Sequence, residues 1–161
     1  MRMQKRKEKD HPGTSILVHP PIVALLCIGI AYLLGRLIPL PFAAPAILRY
    51  IGVVLTIVGF LLGIGAFIEF QKAQTTLDPH GSTSQLVTSG IYRFSRNPIY
   101  LGFLLIVIGL PLYLRLFWGI VMAPVFIFLM NHLVIQHEEM YLERKFKETY
   151  TDYRARVRRW L

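Results

Sequence analysis

Charged and polar residues are gathered into blocks along this chain, and between the blocks the sequence is almost wholly apolar. Tyr50 to Ile68 is 19 residues without a charge, Leu116 to Ile135 is 20, Ile99 to Leu114 is 16, and Val18 to Gly35 is 18 with one imidazole, His19. An α-helix rises 1.5 Å per residue, so about 20 apolar residues cross a hydrocarbon core of about 30 Å. The pattern predicts four membrane-spanning helices, over about 18–38, 46–70, 99–114 and 116–135. A chain of 161 residues could not hide four such helices around one soluble core. The expected fold class is therefore all-α: a polytopic membrane helical bundle in a single domain, 1–161.

The polar blocks supply the punctuation. Pro20-Pro21 fit a helix start, where a missing backbone donor matters least. The first run carries no cleavage-site pattern and more spans follow, so it does not read as a removable signal. Pro39, Pro41 and Pro45 make a short connection, and Gly59-x-x-x-Gly63 with Gly65 in the second span suggests close helix approach. The stretch from Gln71 to Pro98 is a long loop rich in Thr, Ser, Gly, Asp and Pro, a length that is uncommon unless functional or disordered. Leu114-Arg115 predict a tight turn, so spans three and four form a hairpin. Beyond the fourth span, Leu142, Phe146, Tyr150, Tyr153, Val157 and Trp160 recur at spacings of 4, 4, 3, 4 and 3. That is the period of an amphipathic helix, lying on the membrane face or closing over something bound.

Charge then orients the bundle. The formal net charge is +9, from 18 basic and 9 acidic residues. Five basic residues fall in Arg2 to Lys9, three in the loop region (Lys72, Arg93, Arg96) and seven from Arg144 to Arg159; only Arg36, Arg49 and Arg115 fall on the other side. The positive-inside rule explains this balance better than nucleic-acid binding, and it places both termini and the 71–98 loop in the cytoplasm. Anionic headgroups would attract the basic tail, in which Arg154, Arg156, Arg158 and Arg159 read as a solvated, lipid-facing edge. Cys27, the one cysteine, reads as a small core residue.

Two polar clusters fall at the same end of the predicted hairpin: Leu86 to Gly102, and Asn131-His132 with His137-Glu138-Glu139. His132 and His137 are five apart, which does not give the shared face of a zinc pair, and the sequence suggests no metal site. No phosphate loop, dinucleotide fingerprint or nucleophile elbow is present. A transporter reading is weak because the ionisable residues gather at one face and not at mid-membrane.

The string Leu-Val-Thr-Ser-Gly-Ile-Tyr-Arg-Phe-Ser-Arg-Asn-Pro-Ile-Tyr-Leu-Gly, residues 86–102, resembles the signature of the isoprenylcysteine carboxyl methyltransferase and phospholipid methyltransferase superfamily. Glu138-Glu139 followed by Phe146, Tyr150, Tyr153 and Val157 resembles its second half, so the likeness covers about 70–161. The resemblance implies S-adenosylmethionine-dependent methyl transfer to a lipid-soluble or membrane-accessible acceptor, with a cofactor region over 84–102 and 132–160. It implies that Ser84, Gln85, Leu86, Val87, Tyr92, Arg96, Asn97, Pro98, Ile99, Tyr100 and Glu138 surround the cofactor. That zwitterion needs donors or a cation for its carboxylate, which Asn97 or Arg96 would supply. It needs a carboxylate for its ammonium, which Glu138 would supply, and apolar or aromatic walls for adenine, from Tyr92, Tyr100 and Leu86. Methyl transfer asks the protein mainly to align and desolvate the reactants, and no catalytic side chain is assigned.

The chain departs from the family pattern twice. Asn97 stands where the family carries histidine, and Val134 stands where eukaryotic carboxyl methyltransferases place an arginine linked to the substrate. Without that cation a prenylcysteine carboxylate is disfavoured, and an amine, thiol or other lipid acceptor remains open. His132 is the candidate substrate-side residue. The alternative function is a non-catalytic membrane protein that keeps the fold and binds lipid or assists assembly.

Overall fold

A computed structural model describes residues 18–39, 45–73 and 85–161; Ser84 and the residues before 18 lie outside them. Helix α1 is Pro20–Leu37, α2 is Ile47–Lys72, α3 is Pro98–Tyr113, α4 is Trp118–Met130 and α5 is Gln136–Arg156. A 3₁₀ turn, Gly90–Arg93, precedes α3, and a π-helical segment, Asn131–Ile135, joins α4 to α5 without a break. No strand occurs among the described residues.

Three helices are long and apolar enough to cross a membrane: α1, α2, and the continuous helix Trp118–Arg156 by its first, apolar half. The fourth apolar helix, α3, has 16 residues and spans roughly 24 Å, short of a full hydrocarbon core. The outer faces of α1 and α2 leave Leu25 67% and Leu61 59% exposed. Large apolar side chains bared along whole helix faces suit acyl chains and not water. The chain is a multi-pass membrane protein.

Prolines and turns set the boundaries. Pro20 and Pro98 sit in the first turns of α1 and α3, where their missing N–H groups cost nothing. Between α3 and α4 the backbone turns at Arg115, φ 61, while Leu116 N–H bonds Pro111 O at 2.9 Å. At this end of the bundle Trp118 Nε1 donates to Ile38 O (3.0 Å) and Arg49 Nη2 donates to the Tyr113 hydroxyl (3.1 Å).

Helix α3 is central. Helix α2 packs along one side of it, and α1 and α4 pack on the other. The α2–α3 seam is made of glycines seven residues apart. A Cβ on Gly59 would lie 2.6 Å from Gly102 O, and one on Gly52 would lie 2.6 Å from Gly109 O. Gly63, expected to share the contact with Gly59, faces open space. On the other side, Cys27, Ala31, Val107, Phe126, Met130 and Val134 form the main buried cluster.

The last helix differs from the uniform amphipathic stripe expected. Tyr150 and Tyr153 are buried, but the helix breaks at Lys147 (φ 46, ψ −122) and ends at Arg156. Val157 is extended, and the chain folds back toward the start of α3.

Candidate functional site

The site is built on residues 85–97, which are held from two sides at the end of the bundle opposite Arg115. On one side stands the end of α2. Glu69, the first charge after the apolar run of that helix, is buried; it accepts a hydrogen bond from Ser89 Oγ and pairs with Lys72 Nζ at 2.8 Å. Gly90 has φ +56, and a Cβ there would meet the Glu69 carboxyl at 2.5 Å. Only glycine combines that backbone with that approach. The turn so fixed delivers Tyr92, which is buried with its ring edge-on to Phe70, centroids 5.6 Å apart. Val87, Tyr92 and Ala66 form a small buried cluster with Ile91 and Ile99 against it.

On the other side stand α5 and residues 157–161. The Tyr153 hydroxyl donates to Tyr92 O at 2.7 Å. Arg96 N–H donates to Arg158 O (3.0 Å), Asn97 Nδ2 to Arg159 O (3.0 Å) and Ser95 Oγ to the same carbonyl (3.3 Å). Buried Glu139 receives Arg159 through Nε on Oε1 (3.1 Å) and Nη2 on Oε2 (2.6 Å), and Arg96 Nη1 lies 3.2 Å from the same Oε1. Arg96 Nη1 also reaches the Tyr150 hydroxyl at 3.3 Å. Two guanidiniums thus share one carboxylate, leaving one positive charge in excess, and Arg96 Nε is buried with no partner among the described residues.

Between these walls the Tyr100 hydroxyl donates to Glu138 Oε1 at 2.6 Å, in the range of a charge-assisted bond. The pair ties the first turn of α3 to the first turn of α5. Burial pushes the Glu138 carboxyl up to about 7, the hydrogen bond from Tyr100 works against that rise, and neighbouring Glu139 adds to it. Glu138 keeps some accessible surface as a residue, yet its carboxyl sits deep among protein atoms, and the depth sets its proton affinity. Burial likewise raises the phenols of Tyr92 and Tyr153, which stay neutral donors.

Of the residues expected around a ligand, Tyr92, Arg96, Asn97, Pro98, Ile99 and Tyr100 fall on one continuous stretch, and Glu138 is brought to it by Tyr100. Leu86 and Val87 lead into the stretch, half-buried and buried; Gln85 is exposed. The side-chain amide of Asn97 is engaged with Arg159 O. His132 is exposed, with its ring 4.2 Å from that of Phe128 and its Nδ1 2.9 Å from Phe128 O, so its partners lie on its own helix.

Sequence reasoning missed several residues. Glu69 was signalled by its position at the end of a charge-free run. Arg159 was grouped with a solvated basic edge, whereas its side chain is two-thirds buried and paired with Glu139. Asn131, His137 and Trp160, which the sequence singled out, hold Oδ1, Nδ1 and Nε1 buried without a partner among the described residues. No group of three metal-ligating side chains occurs among the described residues.

The family model described as phospholipid methyltransferase matches residues 48–149, more than half of the chain and a stretch containing Glu69, Tyr92, Tyr100, Glu138 and Glu139. An uncharacterized protein of Haemophilus influenzae is 42% identical over 66 residues, which take in all of that protein and 39% of this chain. No solved structure matches. The chain belongs to the phospholipid methyltransferase family, within the membrane superfamily that also holds the isoprenylcysteine methyltransferases.

Proposed function

We propose that the chain transfers a methyl group from S-adenosylmethionine to a lipid-soluble acceptor, with the donor bound on the cytoplasmic side against residues 84–100 and Glu138. The observation that carries this reading is the Tyr100–Glu138 pair, an acidic group set deep at the membrane end and aligned by a phenol. The residues present fit the donor. Glu138 offers negative charge to an ammonium or sulfonium. The unpartnered Arg96 Nε–H and the excess positive charge of the Arg96–Glu139–Arg159 group offer a place for a carboxylate. Leu86, Val87 and Tyr92 supply an apolar wall for an adenine.

The donor supplies an activated methyl group, so the protein needs no nucleophile of its own. Its residues hold the reactants in line and exclude water. Tyr100 fixes the Glu138 carboxylate, and the clamp of Tyr153 on Tyr92 O fixes the wall. Membership of a phospholipid methyltransferase family supports a lipid acceptor.

Titration of purified protein in detergent with S-adenosylmethionine tests the reading. Glu138→Ala is expected to weaken binding roughly tenfold or more through loss of a charged partner. Undiminished affinity in that variant would sink the assignment. Labelled methyl incorporation into extracted membrane lipid tests the transfer itself.

A further inference from the structure

Helix α5 is broken at one residue. Lys147 has φ 46 and ψ −122, a backbone that a Cβ makes costly and that glycine adopts with ease. A side chain stays in such a conformation only where its surroundings hold it there. The side chain of Lys147 is exposed, so the hold comes from the segment that follows. The bend also has a mark of its own. A straight helix would set Glu143 and Arg154 about 16 Å apart along its axis, yet Arg154 Nη1 lies 3.4 Å from Glu143 Oε2.

The segment beyond the bend is fastened across the site. The Tyr153 hydroxyl donates to Tyr92 O, the Tyr150 hydroxyl accepts from Arg96 Nη1, and the carbonyls of Arg158 and Arg159 accept from residues 95–97. Arg159 closes on Glu139. Tyr92 and Ser95 are buried, and the Arg96 side chain is 10% exposed. Arg96 Nε, the group offered to the donor's carboxylate, has almost no accessible surface in this arrangement, so something must move before the two meet. Before the bend, Glu138 is tied to Tyr100 and the helix continues into the π segment. Lys147 therefore marks the boundary between the part of α5 that carries Glu138 and the part that covers Arg96.

We propose that residues 148–161 form a strap that swings about Lys147, closed in this structure and opening to admit the methyl donor and release its product. What passes beneath the strap rests on the methyl-transfer reading; the movement does not. The two states are poised against each other. Closing strains Lys147 and makes the bonds to residues 92–97, and opening breaks those bonds and lets Lys147 relax into the helix.

Opening is read from the alkylation of Ser95→Cys, a buried position whose side chain meets Arg159 O, by N-ethylmaleimide. The full chain is used in maltoside detergent with Cys27→Ala. Adding Lys147→Gly is expected to slow labelling roughly tenfold, because glycine takes the bent conformation without strain and disfavours the straight helix. Lys147→Ala keeps a Cβ and a similar helix preference, and should label within about twofold of the parent. S-adenosylmethionine at about ten times its dissociation constant should slow labelling of the parent roughly tenfold. Its release from the Gly variant should be slower by the same factor as labelling. Equal labelling of the Gly and Ala variants would overturn the hinge, as would a parent that reacts only as fast as it unfolds. If Ser95→Cys does not fold, hydrogen exchange of the Arg96 amide makes the same comparison between the unaltered chain and Lys147→Gly, since its acceptor, Arg158 O, leaves with the strap. Slower labelling in the Gly variant with no effect of S-adenosylmethionine supports the strap and refutes the donor reading.

Discussion

In the proposed site, Glu138 is the residue at which proton chemistry and ligand charge would meet. Its carboxyl is raised from an ordinary 4.5 to about 7, chiefly by burial. A carboxyl with a raised value holds its proton more tightly folded than unfolded. Its contribution to stability is present below about 4.5 and is lost as pH rises toward 7. Binding a cation reverses that preference, because the cation favours the ionised form. Donor affinity should therefore increase as pH is raised from 6 to 8. Ionisation around a value near 7 gives roughly a tenfold gain over that range. Glu138→Gln keeps an acceptor for the Tyr100 hydroxyl but does not titrate, so it should bind weakly and carry only the donor's own pH dependence. Dissociation constants measured at pH 6, 7 and 8 for both proteins check this. Parallel curves would mean that Glu138 does not meet the cation.

The seam between α2 and α3 bears on the site from a distance, because α2 carries Glu69, which holds residues 85–97 from one side, and α3 carries Tyr100, which holds Glu138. Gly52 with Gly109 and Gly59 with Gly102 bring the backbones into contact, and any side chain there must push them apart. Gly59→Val and Gly102→Val should each destabilise by about 1–3 kcal/mol or more, as over-packing does in tight interiors. Gly63→Ala should be neutral or slightly stabilising, since its Cβ meets nothing and alanine favours a helix. Thermal unfolding in detergent separates these outcomes, and equal loss in all three would remove the seam from the account. The contrast also marks what the sequence could convey. Charge-free runs announced the helices because a bilayer demands about 20 apolar residues whatever they pack against. The Gly59–Gly63 spacing misled because a one-helix motif does not name the partner, and the true register needed Gly102 and Gly109 on another helix. The stretch from Tyr92 to Tyr100 was legible as a dense polar motif, and Glu138 as its counterpart. The break at Lys147 was not, because lysine gives no local signal for a positive φ. The helix ends at Arg156 and the chain turns back at Val157, so Trp160 leaves the helical stripe and Arg159 leaves the solvated basic edge that the sequence predicts for them.

The whole bundle has two unlike ends. One holds Arg49, Tyr113, Arg115 and Trp118 around short connections. The other gathers Glu69, residues 85–97, Glu138, Glu139 and the fold-back at Arg159. A water-soluble donor and a bilayer-soluble acceptor can meet only at such a rim, and the shortness of α3 helps. At roughly 24 Å it falls short of a hydrocarbon core of about 30 Å, which would set the start of α3, with Tyr100, near the level of the headgroups. The count of 15 basic residues in the blocks flanking that end against Arg36, Arg49 and Arg115 at the other predicts that the rim faces the cytoplasm. Single cysteines introduced as Arg115→Cys and Arg156→Cys, each with Cys27→Ala, test the orientation. A membrane-impermeant maleimide should label the first in right-side-out vesicles and the second only in inverted ones. The opposite pattern would put the site on the face without cytosolic S-adenosylmethionine, and the donor assignment would fall with the topology.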